Sequence, residues 1–176
     1  MKNTKTAPTA NPYVGLPPAG VLRRFGALIY DALLVMALML LAGGVGALVA
    51  ALLLNFNLIS IAGYPDMAAY LSQNMLYQIW IWSVFVGFYA FFWSKAGQTL
   101  GMRAWKLRVQ NEDGTNINKT QAVIRLFTAI FGLGNFFVLI NKPKGRSFQD
   151  HWADCEVVLL SKELNQQVKL KGVKWP

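Results

Sequence analysis

ALLVMALMLLAGGVGALVAALLL, residues 32–54, decides the fold: it is 23 residues long and carries no charge. A helix rises about 1.5 Å per residue, and roughly 20 residues cross a hydrocarbon core of about 30 Å. Glycines in mid-helix would weaken it in water, whereas in a bilayer small residues let a second helix approach closely. Gly43-xxx-Ala47 and Gly46-xxx-Ala50 are therefore read as a helix-packing face, with another copy of the chain as one expected partner.

Working outward, residues 55–75 hold a single charge, Asp66, and the breaker Gly63-Tyr64-Pro65. This reads as a loop with room for one short interfacial helix. Leu76–Ser94 is again uncharged and crowded with aromatic residues, which predicts a second span. Tyr77 and Trp93, near its ends, suit the aromatic belts of membrane interfaces. The other rings suit lipid and helix contacts better than a ligand cage. Upstream, residues 1–20 carry four prolines and read as a flexible, partly polyproline tail without the form of a signal peptide.

Composition agrees. The chain is 55% hydrophobic and 14% charged, against about 25% charged in typical globular chains, so a soluble fold would lack polar surface. The net charge of +9 comes without any nucleic-acid-reading motif, and no nucleic-acid partner is expected. The basic residues report orientation instead. Lys2, Lys5, Arg23 and Arg24 precede the first span, residues 55–75 contain no base, and Lys95, Arg103, Lys106, Arg108 and Lys119 follow the second. The positive-inside rule then puts the N-terminus and residues 95–121 in the cytoplasm.

Trp105–Gln110 alternates apolar and polar residues, the period of a half-buried strand. Asn111-Glu112-Asp113-Gly114 is a turn signal, and Asn118 with Gln121 predicts a capped helix start. Ala122–Ile140 has nearly the length of a third span. However, Arg125 lies in its first turn, Gly132-Leu133-Gly134 interrupts it, and Lys142, Lys144 and Arg146 follow. One crossing would put those bases outside, so a broken re-entrant or interfacial hairpin is expected. Cys155–Leu160 reads as a strand whose best partner is Leu107–Gln110, and that pairing also requires a return.

Asp31 is the most informative single residue, because a carboxylate at the edge of a span is costly and marks either function or architecture. Arg24 lies seven positions earlier, about 10 Å along one helix, too far for direct contact unaided. Two readings stand side by side: an ion or proton relay or polar substrate contact, and an ion-pair network locking helices together. Asp150 beside His151 suggests acid–base work only weakly, since adjacent side chains on a helix diverge and no motif supplies a nucleophile. Asp150, His151 and Asp154 lack a recognised metal-ligand spacing. The single cysteine, Cys155, excludes an internal disulfide and a multi-thiolate site. No catalytic residue, metal site or cofactor is expected, and the chain is not read as an enzyme.

Several of these pieces, taken together, resemble one family. Arg23-Arg24-Phe-Gly-Ala-Leu-Ile-Tyr-Asp31 resembles the opening of RDD-family membrane proteins, in which an Arg pair leads into an Asp. Gly97-Gln98-Thr99-Leu100-Gly101 is similar to the family's Gly-Gln-Thr-x-Gly segment, and Ala122-Val-Ile-Arg125 to its later Ala-x-x-Arg. Asp150-His-Trp-Ala-Asp-Cys-Glu-Val157-Val158 resembles its closing Asp and Val-Val. The resemblance covers roughly residues 19–160. It departs at Asp154-Cys155-Glu156, where the family usually has Gly-Thr and a variable residue.

The resemblance implies that Arg24, Asp31 and Asp150 are the Arg-Asp-Asp set, expected with Arg125 to form one polar cluster at the cytoplasmic face. The fold expected is a mainly α membrane protein with two transmembrane helices, a broken re-entrant or interfacial segment and a small cytoplasmic β pair. It divides into a tail (1–20), a membrane domain (21–160) and a basic C-terminal tail (161–176). The resemblance further implies a multi-pass inner-membrane protein that is a transporter or transporter component for an ion or small polar solute. Because two spans enclose no aqueous path, it would act as a homo-oligomer or with other membrane proteins in the lipid bilayer. The alternative is a non-catalytic assembly or accessory subunit.

Overall fold

The computed structural model describes residues 11–141 and 145–168. Helix α1 runs from Val21 to Asn55, 35 residues or about 52 Å. It therefore begins well before the uncharged run and outreaches a hydrocarbon core by about 20 Å. The excess at its N-terminal end carries Arg23, Arg24 and Asp31. Asp66 caps the short helix α2 (Met67–Gln73), accepting from the Ala69 N–H at 2.8 Å. Asn74 in turn caps α3 (Met75–Lys95), accepting from Tyr77 N–H at 3.1 Å. Helices α1 and α3 are long and apolar enough to cross a membrane. Both turn large apolar side chains outward, Leu40 at 75% exposure and Ile79 at 52% among them, the reverse of a soluble helix.

The small-residue stripe on α1 is used within the chain. A Cβ on Gly46 would lie 2.7 Å from Tyr77 Cε2, so only glycine admits that ring. The Tyr77 hydroxyl donates to the Gly43 carbonyl at 3.3 Å, and Trp80 Nε1–H donates to the Ala42 carbonyl at 3.0 Å. Ala50 is buried and Ala47 partly so. The face expected to hold a second copy therefore holds α3. Trp93, expected in an interfacial belt, instead turns inward and is buried.

The helix α4 (Leu100–Ala104) leads into β1 (Leu107–Gln110), which pairs antiparallel with β2 (Glu156–Leu159) in the register Leu107 to Leu159. The expected alternation of burial fails, since all four β1 residues are buried. Polar partners explain this: Arg108 donates to Asn116 Oδ1 at 2.6 Å and lies over the Tyr13 ring, and Gln110 donates to the Tyr13 carbonyl at 2.7 Å. Burial holds the Arg108 pKa below its usual value. The outer edge of β2 is covered by residues 17–19: the Ala19 N–H donates to Val157 O and the Leu159 N–H to Pro17 O, at 2.8 and 2.9 Å. Residues 17–19 thus belong to the fold rather than to a tail. So do α8 (Lys162–Gln167) and Val168, which is buried against the far side of the sheet. Residues 1–10 and 169–176 of the expected tails lie outside the described residues, as do Lys142 and Lys144.

Between the strands, α5 (Lys119–Thr128) opens on the expected Asn118–Gln121 capping box. A 3₁₀ segment (Ile130–Phe136) and α6 (Phe137–Ile140) follow. The axis bends by 91° between Lys119–Thr128 and Gly132–Ile140, and Gly132 takes φ +91°, a region that glycine enters freely. The helix α7 (Phe148–Trp152) then returns the chain to β2. A segment that leaves a sheet and rejoins it at the neighbouring strand ends on the side where it began. Single cysteines at Asp113 and Glu163, both exposed, should therefore react with an impermeant thiol reagent from the same membrane face, and one at Ser60 from the other. Labelling of positions 113 and 163 from opposite faces would show that residues 119–140 cross.

Candidate functional site

Asp150 is fully buried and lies at the third position of α7. There it forms a capping box with Ser147, whose N–H donates to Asp150 Oδ2 at 2.9 Å. The same oxygen accepts from Arg24 Nη1 at 2.6 Å, and the other oxygen accepts from Arg125 Nη1. Arg24 Nη1 also donates to Ser147 Oγ at 3.2 Å, and its other nitrogens donate to backbone carbonyls: Nε to Ala19 at 3.0 Å, and Nη2 to Gly145 at 3.1 Å and Val157 at 3.5 Å. One guanidinium thus joins the start of α1, the edge segment, α7 and β2. Arg125 lies over the Trp93 ring at 5.1 Å and reaches Cys155 Sγ at 3.6 Å, linking α5 to α3 and to the strand.

Asp31 stands apart. Its Oδ2 accepts from the Thr99 hydroxyl at 2.5 Å and its Oδ1 from the Gly101 N–H at 2.8 Å. Thr99 also caps α4, accepting from Met102 N–H at 3.2 Å. A Cβ on Gly101 would lie 2.7 Å from Asp31 Oδ1 and against the Ala27 carbonyl, so a side chain there would push α4 off α1. Gly97 takes φ +69°, and its carbonyl accepts from the Val109 N–H at 2.7 Å. Gln98 Nε2 donates to Leu107 O at 2.7 Å and to Asn165 Oδ1 at 2.8 Å. Gly97, Gln98, Thr99 and Gly101 thus form a receptor for Asp31 and a brace for β1.

The four charges expected in one cluster therefore form two. Arg24, Arg125 and Asp150 come together, whereas Asp31 is held by neutral donors on α4. Sequence reasoning missed Ser147, although Ser147-x-x-Asp150 is a capping-box signal before an aromatic residue. It also missed Trp93 as the partner of Arg125, a pairing that no local pattern announces. His151 is exposed and stands outside both clusters. Asp154 takes φ +44°, the left-handed region where the family pattern has glycine; Asp is among the few side chains that tolerate it. Among the described residues no group of three or more His, Cys, Asp or Glu is placed to hold a metal ion.

Both clusters line a cavity of about 880 Å³ between α1, α3, α5 and the 3₁₀ segment. It follows α1 from Arg24 to Met39, a length of about 22 Å. Arg24, Asp31, Arg125 and Gln149 contribute to its polar end, and Met36, Met39, Trp82 and Phe85 to its apolar end. Met36, Trp82 and Phe127 are 56%, 58% and 68% exposed, so the cavity opens sideways among residues of the apolar helices.

Two membrane-length helices, a small closing sheet and buried Arg–Asp pairing define a membrane protein whose polar core is built at one end of its spans. A family model described as RDD family matches residues 18–154. The chain belongs to that family. A search of curated proteins gives no match, and neither does a search of solved structures.

Removing one partner of a buried ion pair costs about 3–5 kcal/mol, because the other is left uncompensated. Asp150→Asn and Arg24→Gln should each lower stability by about that amount in detergent unfolding. Arg146→Gln, which breaks a bridge to a Glu112 side chain that is 70% exposed, should cost less than about 1 kcal/mol. A different kind of strain applies at Gly101→Ala, where the added methyl should cost about 1–3 kcal/mol by overpacking.

Proposed function

We propose that this chain is a ligand-holding transporter or transporter component of the bacterial inner membrane, with its cargo seated in the cavity between α1, α3 and α5. The cavity carries this reading. It is within the usual size of small-molecule sites, roughly 300–1,000 Å³, and joins apolar walls to a few convergent polar groups. Orientation follows from the bases, with the N-terminus, residues 95–121 and the β pair on the cytoplasmic side. The α5 hairpin then lies re-entrant or interfacial on that side, its broken backbone covered by protein. Because two spans enclose no aqueous path, the working unit is an oligomer or a complex with another membrane protein.

A second reading, a non-catalytic assembly subunit, is favoured by one observation. Both oxygens of Asp31 and both of Asp150 are already taken, as expected of architecture rather than of a proton relay.

Proteoliposomes of the purified full chain separate the readings. If the cavity carries the cargo and Asp31 only braces α4, Asp31→Asn should keep at least about half of the wild-type flux. Its melting temperature should fall, because one of two hydrogen bonds, worth about 1.5–3 kcal/mol to a charged group, is altered. Loss of flux in a folded Asp31→Asn would make the carboxylate a relay. Absence of flux for any solute or ion gradient, with a partner recovered in the native complex, would favour the assembly subunit.

A further inference from the structure

Two guanidiniums at the polar end of the cavity, those of Arg24 and Arg125, share the single Asp150 carboxylate. Arg24 uses all three of its nitrogens, whereas Arg125 donates only through Nη1 among the described residues. This end of the cavity therefore carries an excess positive charge, with donor capacity left on Arg125, and calls for an anionic acceptor.

The other end says how that ligand arrives. The mouth among Met36, Trp82 and Phe127 belongs largely to the apolar helices, so it faces hydrocarbon when those helices span a bilayer. Asp31 marks the edge of the uncharged run, and Arg24 lies about 10 Å further along the axis. The polar end of the cavity thus falls near the headgroup layer, which begins where the hydrocarbon stops. A lipid at its ordinary depth would have its acyl chain beside Met36 and Phe85 and its headgroup beside Arg125.

We infer that the cavity binds one anionic phospholipid, such as phosphatidylglycerol. The Arg125 guanidinium supplies donors to the phosphate, and one acyl chain occupies the groove between α1 and α3. The inference rests on the cavity being the binding site proposed above.

Native mass spectrometry of the full chain, released from vesicles of equal phosphatidylglycerol and phosphatidylcholine, tests it. One phosphatidylglycerol per chain should be retained with about a tenfold preference, the size of one charge-assisted hydrogen bond. Ala32→Trp, an exposed mouth position, should abolish retention, and Met36→Trp repeats the block should the first variant fold poorly.

Equal retention of phosphatidylglycerol and phosphatidylcholine would overturn the headgroup assignment and leave the cavity as a purely apolar site. Undiminished retention in a folded mouth variant would place the lipid elsewhere and overturn the inference. Displacement by soluble glycerol phosphate would make the ligand water-borne and overturn the lipid. A folded chain that keeps no lipid and no other cavity ligand would overturn this inference and the cavity reading together.

Discussion

A single buried carboxylate, Asp150, has to be neutralised, and the arrangement of the chain's far-separated parts follows from how that is done. Its two oxygens are shared between Arg24, at the start of the first helix, and Arg125, on the helix that opens the bent segment. Taking three charges out of water is costly unless every donor is matched. Arg24 meets that condition with the carbonyls of Ala19, Gly145 and Val157, and in doing so fixes the edge segment and α7 against β2. Arg125 meets it only in part, with its Nε left unpartnered among the described residues. The difference between the two arginines separates a structural clamp from a group with capacity to spare.

The second carboxylate solves a different problem. Asp31 lies where the uncharged run of a long helix begins, and there it accepts from Thr99 and Gly101 rather than from a cation. Neutral donors hold the charge in place without bringing another ion toward the lipid. They also pin α4, and through it Gly97 and β1, to the side of α1. The two clusters therefore act in series: Asp150 closes the sheet end of the molecule, and Asp31 fastens that end to the span.

Between this charged end and Gly46, the cavity separates α1 from α3. Helices α1 and α3 touch closely where Gly46 admits Tyr77, and toward the charged end α5 and the 3₁₀ segment also line the space between them. The cavity is the result of that wedge, not of any residue that encloses it. This is why its polar and apolar ends follow the charged and uncharged parts of the first helix, and why its mouth lies among outward-facing apolar side chains.

Two spans, the loop between them, the capped start of α5 and the strand pair were all legible in the sequence. Each rests on a local cause: an uncharged run, a breaker, a capping pair or a period of two. The site was legible only as a set of residue types, and the expectation of one four-membered cluster was incorrect. Asp31 and Arg24 share a helix, but rise per residue alone keeps them apart, and the partner of each lies roughly 70 to 130 positions away. The small-residue stripe shows the same limit, since close approach is written in the glycines while the identity of the approaching helix is not. By itself the sequence determined which segments belong in lipid, because hydrocarbon excludes charge residue by residue. Only the tertiary structure decided which donor each buried carboxylate meets, because that choice is made by proximity across the fold.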